Sequence, residues 1–334
     1  MKQISILLLL LFLTLCAGFV CKQAPLQTIQ VVSPQEETED RSVNTVAKLG
    51  TLAFFSAKEL GQGNLYIMDE EGGNVKRIGR SGSRPDHYPN WSPDGQYLTF
   101  SSYRKSGWRI WIMKADGTEA RRILNGRLGI STYEFDPSFS ADGSRIFFAS
   151  NGDLYSVKRD GTGFHQITNT PNIFEYSPYQ SPDSNKLLFV SRGQIYVMTL
   201  ATGEKNNLTQ NKDIIEYAPI WAPDGKQILY YSNLSGSFEL YLMDADGSDK
   251  KFVLNEKEMK EMGFTQVAFV DAWDNDWGAI KQYKASFSAD GQKIAFSRDL
   301  NGSREIFVVN RDGTGIQQLT NNQFHDGFPM WKPN

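Results

Sequence analysis

Five prolines and one alanine (Pro89, Pro137, Pro178, Pro219, Ala285 and Pro329) recur in closely similar surroundings along this chain. Three positions before them stand Asp86, Glu134, Glu175, Glu216, Gln282 and Asp326. Two positions before them stand His87, Phe135, Tyr176, Tyr217, Tyr283 and Gly327. If one repeated element carries each set, the first is an acidic ring and the second an aromatic rim. Like charges on a ring repel unless hydrogen bonds, a cation or a basic partner offset them. Two chemistries are therefore open. The carboxylates either accept backbone N–H groups and brace neighbouring segments, or they hold a divalent cation such as calcium or a peptide bearing Lys or Arg. His87 and His325 stand beside Asp86 and Asp326, as ligands for a transition metal or as two solvent-exposed rim residues.

Two further groups of residues could do chemistry. Trp273, Asp274, Asp276 and Trp277 fall within five positions. The tryptophans either pack a loop onto the body or form an aromatic–acidic contact patch for a partner or a sugar. Cys16 and Cys21 are the two cysteines, and both follow an apolar run. Lys2 and the run from Ile4 to Leu15 read as an export signal, too short to span a bilayer comfortably. Leu13 fits position −3 of a lipidation motif before Cys16, whereas Leu15 does not fit −1; Cys21 fits less well. Lipidation at either cysteine, simple cleavage near Gly18 and an uncleaved anchor all stay open.

Composition narrows the classes. Lys plus Arg number 35 against 38 Asp plus Glu, a net charge of −3, which argues against nucleic acid as a partner. With no cysteine beyond residue 21, a disulfide framework or Cys-based zinc site is excluded from the body of the chain. Three histidines are few for a His-rich metal centre. A propeller fused to a serine hydrolase would need a Gly-x-Ser-x-Gly elbow, which is missing.

The elements that must position these residues form an internal repeat. One segment recurs as YPNWSPDGQYLTF, DPSFSADGSRIFF, SPYQSPDSNKLLF, APIWAPDGKQILY and KASFSADGQKIAF. Each precedes a second apolar strand and a second glycine turn, as in IWIMKADGT or IFVVNRDGT. The second-turn glycines, Gly72, Gly117, Gly161, Gly203, Gly247 and Gly313, are spaced 45, 44, 42, 44 and 66 apart. A period near 40–45 with four short strands is the signature of a β-propeller blade. The expected unit has a short strand starting after its proline, a Pro-Asp-Gly turn, two apolar strands buried on both faces, and a short outer strand. Six second turns but five preceding first strands are present. The segment 327–333 matches the start of a repeat and is expected to pair with 51–56 and close the ring, removing exposed edges.

The pattern Pro-x-Trp-Ser-Pro-Asp-Gly, followed by an Ile-Tyr-Val-Met-Asp type strand, an Asp-Gly turn and Leu-Thr, resembles the TolB-like propeller repeat over roughly residues 50–334. Gln180 in place of Trp, Ser184 in place of the turn Gly and Ala285 in place of Pro depart from it without breaking the period. The resemblance implies an extracytoplasmic propeller that binds proteins or envelope components without catalysis. TolB carries an N-terminal α/β domain before its propeller; here the stretch 22–48 is expected to be a short tether instead.

The expected architecture is all-β: a six-bladed propeller of four-stranded blades over 49–334, after a signal over 1–20 and a flexible tether over 21–48. Both Asp-Gly turns fall on one face of the disc. The opposite face receives the blade-to-blade connections, the hairpins between second and third strands, and an insertion of about 22 residues within 255–284. Those hairpins are minimal at Asn151-Gly152 and Arg192-Gly193 and long at 56–64, 232–239 and 297–305. Binding residues concentrate in such loops. The expected function is an exported binding or scaffold module of the bacterial envelope, a monomer, periplasmic or tethered by an N-terminal lipid. It would engage a protein or an envelope glycan or lipoprotein through the variable face and channel mouth. The alternative is a metal-dependent hydrolase or lyase at that mouth, with a divalent cation in the channel.

Overall fold

Each repeat folds into a four-stranded antiparallel sheet, and six sheets make the ring. The computed structural model describes residues 51–333 except 59–62, 80–84, 104–106, 125–132, 237, 255, 265–283 and 301. Blade two comprises Asp86–Trp91, Tyr97–Tyr103, Trp108–Lys114 and Arg121–Arg122. Blade three comprises Glu134–Phe139, Arg145–Ser150, Asp153–Lys158 and His165–Gln166. Blade four runs through Glu175–Gln180, Lys186–Ser191, Gln194–Thr199 and Lys205–Asn207. Blade five follows with Glu216–Trp221, Gln227–Ser232, Glu239–Asp244 and Lys251–Phe252. Blade six has Ala285–Phe287, Lys293–Leu300, Ser303–Asn310 and Gln317–Gln318.

Blade one joins the two ends of the repeat array. Its outer three strands are Leu52–Ser56, Asn64–Met68 and Lys76–Arg77; its innermost strand is Asp326–Trp331. Leu52 pairs with Trp331 and Ser56 with Asp326, so the ring closes as expected.

The middle strands are apolar on both faces because each blade is packed between two others. Ala53, Leu65 and Ile67 of blade one meet Leu98, Phe100 and Met113 of blade two. Leu52, Phe54 and Met68, on the other side of blade one, meet Ala295, Ile306 and Val308 of blade six. The fourth strands are two or three residues long and carry Lys76, Arg77, Arg121, Arg122, Lys205 and Lys251. Short, charged strands at a sheet edge oppose edge-to-edge pairing.

The innermost strands differ from expectation in one respect. They do not start after the proline but three residues before it, and the proline lies inside the strand. The residue just before it is left-handed: Tyr88, Asp136, Ser177, Ala218 and Phe328 have φ between 52° and 56°. The pairing register slips there, between His87 and Asn90 in blade two and equivalently in blades one, three, four and five. A bulge interrupts the ladder where proline has no N–H to give, so the strand continues past it. Blade six has Ala285 and keeps a regular register.

The insertion opens with a helix, Glu256–Glu261. Met259 and Met262 pack on the core between blades five and six, and Phe264 stands edge-on to Phe307 at 5.0 Å. The long connection of blade six is a paired ribbon rather than a loop, with Leu300 opposite Ser303.

Candidate functional site at the channel mouth

The turn face is uniform. In blade two Asp94 Oδ1 accepts the Gln96 N–H at 3.0 Å and the Ser92 hydroxyl at 2.5 Å, and Gly95 N–H bonds Ser92 O at 2.8 Å. Asp142, Asp183 and Asp290 repeat this. In the second turn Asp116, Asp160, Asp246 and Asp312 each bond the backbone and hydroxyl of the residue two further on. The Asp244-Ala245-Asp246-Gly247 run is one of these turns.

The opposite face differs from blade to blade. Asn151-Gly152 and Arg192-Gly193 are two-residue turns with φ of 54° and 86°, and 54° and 72°, the geometry that suits strand twist. Tyr133 and Phe174, just before the innermost strands of blades three and four, are 46% and 55% exposed, and Leu234 in the hairpin of blade five is 47% exposed. Phe174 lies over Gly152, the hairpin of the preceding blade. Among the described residues these are three of the four exposed large apolar side chains; the fourth, Val75, lies away from them beside the turn of Gly72.

The acidic ring lies beneath this surface. Asp86, Glu134, Glu175, Glu216 and Asp326 all begin innermost strands and all are buried. Glu134 accepts the Ile110 N–H of blade two at 3.0 Å and lies 3.2 Å from Arg122 and 3.5 Å from Arg109. Glu175 pairs with Lys205 at 2.7 Å. Glu216 accepts from Asn211 at 3.1 Å and bonds Thr209, whose hydroxyl oxygen takes the Ile195 N–H of blade four. Asp326 accepts from Asn322 at 2.8 Å. Thr209 thus links a strand of blade four to the carboxylate of blade five, whereas Thr320 accepts the Ile306 N–H in the same way but donates to Glu305 of its own blade. Blade two has Leu124 where that Thr would stand, and Glu134 takes the equivalent N–H directly. Burial pushes Glu134, Glu216 and Asp326 above the usual carboxylate range, against the opposing pull of these donors.

His87 and His325 do not converge on one site. His87 is boxed by Phe55, Trp108, Tyr88 and Phe328 at 4.5, 4.9, 5.8 and 5.8 Å between ring centres. Burial takes its imidazole down to about 3, so it is neutral and behaves as an aromatic ring. His325 is exposed, and its Nδ1 accepts the Arg304 N–H at 3.1 Å. Among the described residues no three His, Cys, Asp or Glu side chains converge as a metal cage. Phe135, Tyr176 and Tyr217 of the rim are partly buried. Gln282, Tyr283, Trp273, Asp274, Asp276, Trp277, Cys16 and Cys21 lie outside the described residues, as do the signal and tether.

Sequence reasoning missed the waist of the channel. Left-handed residues of different blades meet there, Tyr88 and Phe328 at 4.8 Å between ring centres. Asp136 of blade three, with no exposed side-chain surface, stands 3.0 Å from Lys284 Nζ, contributed by blade six on the far side of the ring. Ser177 Oγ donates to Asp136 Oδ2 at 2.8 Å, and Lys284 Nζ lies 4.8 Å from the Tyr88 ring centre. The signal was in the column one residue before the proline, where Tyr88, Asp136, Ser177, Ala218, Lys284 and Phe328 hold one acid and one base.

A closed ring of six four-stranded blades, with one largely repeating and one variable face, defines a β-propeller. The chain is a TolB-like six-bladed β-propeller. The TolB beta propeller domain matches residues 50–192. A Tol-Pal system protein TolB of Francisella tularensis is 34% identical over 85 residues, 25% of this chain and 19% of that protein. A protein of Agrobacterium fabrum is 31% identical over 98 residues, 29% of this chain and 32% of that one. The chain thus spans about a third or less of the length of these relatives. Among solved structures, TolB from Acinetobacter baumannii superposes with a TM-score of 0.69 at 21% identity, over 85% of this chain and 67% of that one. A putative TolB from Agrobacterium tumefaciens gives 0.56 at 17% identity, over 81% and 88%.

Proposed function

We propose that this chain is a protein-binding scaffold of the bacterial envelope that works outside the cytoplasm and engages its partner through the variable face around the channel mouth. The observation that carries the reading is the asymmetry of the disc. Tyr133, Phe174 and Leu234 are exposed on adjacent blades of one face, whereas the other face commits its polar groups to its own turns. Exposed aromatic side chains on a rigid support are typical anchors of protein interfaces. The likeness to Tol-Pal system proteins supports an envelope setting, and the apolar run of Ile4 to Leu15 supports export, with lipid attachment at Cys16 or Cys21 as one form of tether.

The test is affinity capture from envelope extract with the wild type and a Tyr133→Ser/Phe174→Ser/Leu234→Ser variant. A partner retained by the wild type and lost by the variant, at equal melting temperature, is the expected result. Equal capture by both, or loss on substituting only the turn face, would overturn it. Intact-mass measurement of native protein from the envelope tests export: the first 15–20 residues should be missing.

A further inference from the structure

At the waist of the channel a buried carboxylate and an aromatic face meet one ammonium group, that of Lys284. Asp136 supplies the charge, and its second oxygen is held by the Ser177 hydroxyl at 2.8 Å. The face of Tyr88 supplies the aromatic wall, 4.8 Å from the nitrogen. Ala218, Pro219 and Ala285 of the same cavity are small or apolar and admit a methylene stem. A carboxylate steadied by that hydroxyl, together with an aromatic face, suits a compact cation on an alkyl chain. These residues come from blades two to six, so the site exists only in the closed ring.

Lys284 is anomalous in its own repeat. Among the described residues its blade has alanine in place of the proline, Lys284 itself is not left-handed, and the pairing from Ala285 to Phe287 is regular. Its side chain crosses to a blade on the opposite side of the ring and remains 16% exposed, whereas Asp136 is completely enclosed. Lys284 also directly follows the insertion, at the face where the proposed partner docks. A buried carboxylate with one cationic partner tolerates the loss of that cation poorly.

We propose that the channel waist is a primary-ammonium site filled in cis by Lys284, and that a protein presenting a lysine at the mouth docks by exchanging its ammonium for that of Lys284. The exchange rests on the reading of the mouth as a partner site; the ammonium site itself does not. Lys284 is then a tethered competitor that weakens any partner unable to supply its own cation, because binding must first draw on the minor population with Lys284 withdrawn.

Lys284→Ala removes three methylenes and the ammonium, which n-propylammonium replaces. The variant should melt about 5–10 °C below the wild type. Propylammonium should restore most of that loss, and tetramethylammonium, which has no N–H, should not. The wild type should respond to neither. Lys284→Ala/Asp136→Asn should be more stable than Lys284→Ala and should lose the response, which keeps the test decisive if the single variant folds poorly. Calorimetry with Nα-acetyl-lysine amide should show Lys284→Ala binding at least ~10-fold more tightly than the wild type. Equal responses to the two cations, or a response that survives Asp136→Asn, would overturn the site. Equal affinity of variant and wild type for the lysine amide would overturn the exchange. Neither result bears on the capture experiment with Tyr133, Phe174 and Leu234.

Discussion

At the second-turn glycines, conformation and crowding act together. Gly117 has a φ of 89°, and a Cβ there would stand 2.5 Å from the Ile78 carbonyl oxygen of blade one. Gly72, Gly161 and Gly247 meet Leu319, Ile123 and Leu208 in the same way. Gly203 has a φ of 73° but nothing within 4 Å. Alanine at Gly203 therefore meets only the left-handed penalty of about 1–2 kcal/mol. Alanine at Gly117 must also push two blades apart. Gly117→Ala should lower the melting temperature clearly more than Gly203→Ala, and similar losses would mean that the close approach costs little. Ser184 is the reverse case, a side chain held at φ 64° in a turn whose counterparts are glycine. Its carbonyl accepts Gln180 Nε2 at 3.0 Å, a bond that glycine would keep. Ser184→Gly should raise stability by roughly 0.5–1 kcal/mol, the left-handed cost less the entropy that glycine adds to the unfolded chain. These turn residues were legible in the sequence because they repeat. Gln180, which reads as a damaged Trp, instead ties two blades together, since its Oε1 accepts the Ala141 N–H of blade three at 2.9 Å. No repeat can announce such a substitution.

At the scale of the element, the innermost strand combines a bulge with a buried carboxylate. The position of Asp86, Glu134, Glu175, Glu216 and Asp326 on one turn of the repeat was legible, since periodicity places equivalent residues on one ring. Their burial was not, because it depends on partners from other strands: Arg122 and the Ile110 N–H for Glu134, Thr209 and Asn211 for Glu216. Likewise, Asp136 and Lys284 are 148 residues apart and meet only across the closed ring. The buried acids give pH dependence a definite sign. Burial raises the folded pKa of Glu216. Its contribution is most favourable below the unfolded value near 4.3 and is lost as pH rises through the folded value. Glu216→Gln should therefore improve relative to the wild type between pH 4 and pH 7.5, in paired thermal melts. Thr209→Val removes the acceptor of the Ile195 N–H and a donor to Glu216, at a cost of about 1–3 kcal/mol. That loss should be larger at pH 7.5 than at pH 4, when Glu216 is ionised. A loss independent of pH would assign the hydroxyl to the amide alone. The turn aspartates act oppositely: hydrogen bonds hold Asp142, Asp183 and Asp290 below the usual range, so their support is present above the unfolded pKa and disappears as pH falls through the lower folded values.

At the scale of the whole molecule, stability depends on closure, because no blade covers both of its own faces. The last strand joins two ends of the repeat array and two neighbouring blades at once. Trp331 is buried among Leu52, Tyr66 and Ile306, and its backbone N–H donates to Ser286 Oγ of blade six at 3.0 Å. Met330 packs with blade two, and its carbonyl takes the Trp91 indole N–H at 3.1 Å. A chain cut after Asn322 loses all of this and leaves Leu52–Ser56 as an unpaired inner edge. Loss of a buried tryptophan alone costs about 3–5 kcal/mol, against a total of about 5–15 kcal/mol for a typical domain. Stability in a ring is also shared: opening one junction uncovers faces of both flanking blades, so the defect is not confined to blade one. The truncated chain should lose its single cooperative melt and associate through the exposed edge, as read by circular dichroism and gel filtration. A synthetic peptide of residues 323–334 added in excess should restore the transition, because the strand enters by edge pairing rather than by threading. Trp331→Ala in the full chain should melt cooperatively at lower temperature, since the backbone pairing from Asp326 to Trp331 is retained. A truncated protein that melts with the full-length one would show that blades two to six hold without closure.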